Sequence, residues 1–192
     1  SSAGGYTIPD AIKPMDNGQI LFLQKQYSWV TNREIETLVA FNADLHTSSQ
    51  YAQYDAGGRF ALGRLFSLSS DTAITIGLLN SDGNAPLLDV SLYDASIGLT
   101  HLGDVSLGGT PYSSSHTSNI LPIKVDASAS EIYFATQGWD GSTGSIDLFR
   151  MTLDVLSPYD PPVVTRLFSV DTAAPSASAI LIDAAHISIT YS

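Results

Sequence analysis

Ala73-Ile-Thr-Ile-Gly-Leu-Leu79 and Leu88-Asp-Val-Ser-Leu-Tyr-Asp94 decide the fold class of this chain. In the first, Ile74, Ile76 and Leu78 alternate with Thr75 and Gly77. In the second, Leu88, Val90 and Leu92 alternate with Asp89, Ser91 and Tyr93. A period of two sends every second side chain to one face, the pattern of a strand with one buried side. The segment between them, Ser81-Asp-Gly-Asn84, holds an Asp-Gly pair. Gly supplies positive φ there and Asp caps the turn, so the two stretches read as a hairpin. The same unit returns as Glu131-Ile-Tyr-Phe-Ala-Thr136 and Ser145-Ile-Asp-Leu-Phe149 around Asp140-Gly-Ser-Thr-Gly144. An all-β chain follows.

Composition agrees. Only 14% of the 192 residues are charged, with three glutamates (Glu34, Glu36, Glu131) and three lysines (Lys13, Lys25, Lys124), so the usual formers of solvent-facing helices are scarce. The net charge of −11 disfavours phosphate backbones and anionic membranes, and nucleic acid is not expected as a partner. There is no cysteine, which removes disulfides, thiolate metal sites and thiol nucleophiles. No apolar run is long enough for a membrane span. The opening Ser-Ser-Ala-Gly-Gly has neither an initiator Met nor a signal-peptide pattern, as in a processed form or a fragment.

Along the chain, residues 1–18 read as an irregular arm, with Gly4-Gly5, Pro9, Pro14 and Asn17-Gly18. Residues 19–157 read as a β-sandwich domain, and 158–192 as a C-terminal strand extension packed on that domain or on a neighbour. Within the domain, 32–42 is read as a strand over a helix, and the polar stretch 43–58 as a loop. Strands are expected at 60–68, 99–107, 120–125, 163–170, 178–183 and 187–191. A weak repeat links Ala73–Tyr93 to Ser130–Phe149, Leu121–Asp126 to Ala179–Asp183, and Glu131–Thr136 to His186–Tyr191, at offsets of about 57 residues. The expected architecture is an antiparallel two-sheet sandwich, jelly-roll-like. A partial β-propeller is the alternative, since four-stranded units at this spacing also suit blades.

From about residue 60 to 153 the chain resembles the bacterial pre-peptidase C-terminal domain family. Four segments carry the resemblance: Arg64-Leu-Phe-Ser-Leu-Ser-Ser-Asp-Thr-Ala-Ile-Thr-Ile-Gly-Leu78, Leu88-Asp-Val-Ser-Leu-Tyr-Asp94, Ala129-Ser-Glu-Ile-Tyr-Phe-Ala135 and Gly138-Trp-Asp-Gly-Ser-Thr-Gly-Ser-Ile-Asp-Leu148. Departures are Glu131 in place of a turn glycine, the Ser-rich stretch at 108–119, and the tail from Pro158. The resemblance implies a small, non-catalytic β-sandwich attached to secreted proteins and active in adhesion, matrix binding or secretion.

No catalytic constellation stands out. There is no G-x-S-x-G elbow, and no pair of carboxylates is marked for glycoside hydrolysis. His46, His101, His116 and His186 show no metal-ligand spacing, so no metal site and no cofactor are expected from them. Asp82, Asn84, Asp89 and Asp140 are oxygen donors that calcium could use, but without an Asp-x-Asp-x-Asp run they read as turn chemistry. Trp139, Tyr93, Tyr133 and Tyr112 are the aromatics proposed to face outward, where a ring could stack on a glycan or enter a protein partner. The expected function is a non-enzymatic structural or interaction protein of an extracellular surface assembly, an oligomer using its terminal strands for contacts with itself or other surface proteins. Alternatives are a surface, decoration or tail protein of a phage or virus particle, and a carbohydrate- or matrix-binding module of a secreted enzyme. The expected location is extracellular, at a cell surface or on a virus particle.

Overall fold

The computed structural model describes residues 5–28, 33–54, 64–79, 87–107, 119–128, 130–139, 144–154, 156–172, 177–182 and 187–191, with side chains for part of these. Fourteen strands and no helix occur among the described residues. They are β1 (Gly5–Pro14), β2 (Gln19–Ser28), β3 (Arg33–Asn42), β4 (Thr47–Tyr54), β5 (Arg64–Ser67), β6 (Thr72–Leu79), β7 (Leu87–Asp94), β8 (Gly98–Ser106), β9 (Asn119–Asp126), β10 (Glu131–Trp139), β11 (Gly144–Thr152), β12 (Val163–Thr172), β13 (Ala177–Ile182) and β14 (Ile187–Tyr191).

The strands form three four-stranded antiparallel sheets, β1–β4, β5–β8 and β9–β12, and a two-stranded sheet, β13–β14. In each, neighbours in the sheet are neighbours in the chain, so every sheet is a meander without crossed connections. The second sheet lies between the other two. The period-two reading of its strands explains how. Ile74, Ile76, Leu88, Val90 and Leu92 face the third sheet, where they meet Ile120, Ile132, Phe134, Phe149 and Met151 in one core. Ala73 and Tyr93, on the opposite face, join Leu65 against Met15, Leu21, Leu23, Leu38 and Ala40 of the first sheet. The stacked Phe134 and Phe149 rings, 5.4 Å apart, fill the centre of the larger core.

All-β sandwich packing therefore holds, and the number of layers is what the tertiary structure adds. The first strands of successive sheets are neighbours: β1 beside β5, β5 beside β9, β9 beside β13. That serial order accounts for the sequence repeat. The matched segments fall on equivalent strands: β6–β7 on β10–β11, β9 on β13, β10 on β14. It is also the neighbour pattern of blades in a propeller, though the described strands form no closed barrel.

Two expectations are corrected. The stretch 1–18 is not an irregular arm, because Gly5–Pro14 pairs with β2, interrupted by a register shift between Thr7 and Ile12 that absorbs Pro9. The polar stretch 43–58 is not all loop, since Thr47–Tyr54 pairs with β3 as an exposed edge strand that needs no apolar alternation. The strand reading of 32–42 holds. Beyond residue 158, β12 is the fourth strand of the third sheet and pairs with β11 along its length, so that part of the tail packs on its own chain. The hairpin readings at Ser81–Asn84 and Asp140–Gly144 lie mostly outside the described residues.

Candidate functional site

The most chemically varied group of described side chains lies on β7 and β8, on the face of the middle sheet turned away from the larger core. Asp89 and Ser91, two apart on β7, share that face. On β8, Asp104 stands opposite Asp89, and His101 opposite Ser91. His101 and Asp104 are three residues apart and on a regular strand would point to opposite faces. A bulge prevents this. The register shifts between Val90 and Ser91, so Val90 faces Gly103 while Leu102 is the extra residue. Leu102 enters the larger core, and Gly103 takes φ +135°, a conformation that side chains rarely adopt.

The bulge brings three candidate ligand atoms together. His101 Nε2 stands 3.2 Å from Asp104 Oδ1 and 3.5 Å from Asp89 Oδ1. All three ligand atoms lie within 4.8 Å of one another. The Asp89 side chain is 2% exposed, whereas those of His101 and Asp104 are 50% and 36% exposed. The site therefore has a buried floor and an open rim. Ser91 Oγ donates a long hydrogen bond of 3.4 Å to Asp89 Oδ1. Burial pushes the Asp89 carboxyl up to about 6, with Asp104 adding to the rise and His101 and Ser91 opposing it. Like charges directly opposite on paired strands destabilise a sheet, and the imidazole between them offsets this.

Among the residues singled out from sequence, Asp89 belongs to this cluster, while Asp82, Asn84 and Asp140 lie outside the described residues. The structure brings Asp89 together with His101 and Asp104, which sequence spacing did not mark. The signal was indirect: a Gly103 inside a strand pattern, where glycine often marks a bulge.

The aromatic expectations divide. Tyr93 does not face outward: it is buried, its hydroxyl donates to Gln19 Oε1 at 2.9 Å, and its ring meets Tyr51 edge-on at 5.8 Å. Burial and the nearby Tyr51 raise its pKa. Its outward reading failed because the sequence reveals one buried face of β7, and the first sheet covers the other. Tyr133 is partly exposed, and its hydroxyl donates to Glu131 Oε2 at 2.6 Å, a bond that raises the phenol pKa. Glu131 Oε1 stands 3.5 Å from Arg150 Nη1. Trp139 ends β10, and only its backbone is described. Tyr112 lies outside the described residues.

A second surface is apolar. Strand β12 is the edge of the third sheet, and on it Val163, Leu167 and Phe168 are exposed by 67%, 45% and 52%. Leu156 and Tyr159 are also exposed, in the segment just before it. A register shift opposite Leu148 and Phe149 leaves Leu167 as the extra residue of β12. No helix among the described residues is long and apolar enough to cross a membrane. No family model and no curated protein matches the chain.

Proposed function

We propose that this chain is a non-catalytic structural or interaction protein of an extracellular surface assembly, and that it makes subunit contacts through strand edges. The observation that carries this reading is the edge strand β12. It presents ten residues of backbone beside three large exposed apolar side chains. An edge strand with unpaired N–H and C=O groups is a template for another strand, and proteins that do not use it usually guard it with charge or bulges. Here the bulge carries an exposed leucine, and Arg166 is the one basic side chain on the strand. The terminal strands are weaker candidates than their sequence suggested, because β1 and β14 each already pair within the chain.

Size exclusion with light scattering over a wide concentration range tests this reading. The wild-type chain is expected to self-associate, and Leu167→Asp or Phe168→Asp to return it to monomer with native circular dichroism. A wild-type chain that stays monomeric at every concentration would sink the self-assembly reading.

A further inference from the structure

We propose that Asp89, His101 and Asp104 form a binding site for a first-row divalent cation of the zinc class. The separations fit that ion. With metal–ligand bonds of about 2.0–2.1 Å, ligand atoms at a tetrahedral centre stand roughly 3.3–3.4 Å apart. The two distances from His101 Nε2, 3.2 Å and 3.5 Å, bracket that edge. One imidazole nitrogen and two carboxylate oxygens from three residues would leave a fourth position on the open rim, toward the exposed sides of His101 and Asp104.

The state of Asp89 is the independent observation. Its side chain is almost wholly buried, yet its polar contacts are long and both fall on Oδ1. A buried carboxylate without close donors is costly, and a cation supplies what is lacking. The backbone also serves the cluster: the bulge at Leu102 and the unusual φ of Gly103 are what turn His101 and Asp104 to one side. The nitrogen ligand favours zinc over calcium, which takes oxygen ligands in larger number. This site is independent of the β12 edge and of the function proposed from it.

The test is calorimetric titration of the metal-free full chain with Zn²⁺, with Ca²⁺ as comparison. One equivalent of Zn²⁺ is expected to bind, with Ca²⁺ much weaker. His101→Ala and Asp104→Asn remove rim ligands that are well exposed, so both variants should fold. Outer-sphere partners of metal sites are worth about 10–100-fold in affinity, so loss of a direct ligand should weaken Zn²⁺ by tenfold or more. A variant with His46, His116 and His186 all changed to Ala should bind as the parent does. Absence of Zn²⁺ binding, or equal binding by His101→Ala, would overturn the site and leave the three side chains as an ion-pair cluster.

Discussion

The two faces of the middle sheet are built from the same strands and differ in kind. On β7, Leu88, Val90 and Leu92 point into the larger core, while Asp89, Ser91 and Tyr93 point the other way. All six are buried. One face is closed by shape alone, with side chains from two sheets interlocked. The other is closed by a mixture: Ala73 and Tyr93 pack on the first sheet, and farther along the strand the surface turns polar and ends in the Asp89 cluster. Burial by itself therefore does not separate core from site. What separates them is whether the buried atoms are satisfied where they stand.

The comparison breaks most visibly on the apolar side. Leu88→Ala, at a fully buried position, is expected to lower stability by about 2–5 kcal/mol, because a cavity adds to the lost transfer energy. Ser91→Ala, three residues along the strand on the opposite face, should cost about 1 kcal/mol or less, since its hydroxyl makes one long hydrogen bond. Denaturant unfolding of the two variants gives the contrast directly. Equal costs would mean that the faces are energetically alike.

Asp89→Asn sharpens the comparison through pH. The folded carboxyl titrates at about 6 against an ordinary value of 3.8, so the folded state holds its proton more tightly than the unfolded chain does. Stability from this group is complete below the ordinary value and is lost as pH rises through the folded one. Between about pH 4 and pH 6 the metal-free protein should lose on the order of 2–3 kcal/mol, and Asp89→Asn should flatten that slope. Urea midpoints taken across this window check it. An unchanged slope in the variant would mean that Asp89 is better solvated than its burial indicates.

A comparably small effect is expected at the far end of the same face. Tyr93→Phe keeps the ring against Tyr51 and removes only the bond to Gln19, which joins the middle sheet to the first. A loss of about 1 kcal/mol is expected, read from the same denaturation curves. A loss comparable to that of Leu88→Ala would show that the hydroxyl, rather than apolar contact, ties the two sheets together.

Much of the fold was legible because strand signals are local. Alternation marked β6, β7, β10 and β11, and the repeat of about 57 residues foreshadowed the equivalence of successive sheets. The strands that sequence missed are those whose evidence is not local. Strand β4 is polar and exposed, and β1 carries Pro9 within a register shift. Pairing with a neighbour, rather than side-chain pattern, makes each a strand.

The candidate site was legible only in part. Asp89 drew notice as an oxygen donor, but His101 and Asp104 stand at a spacing that an unbroken strand would send to opposite faces. Composition and alternation by themselves determined an acidic, cysteine-free, all-β chain with antiparallel hairpins, because those properties follow from each residue and its near neighbours. Only the tertiary structure decided that the middle sheet is covered on both sides, that Tyr93 is interior, and that a one-residue bulge gathers an imidazole and two carboxylates. Each of these depends on which distant strand lies alongside and in what register, and register is set by packing across the whole stack.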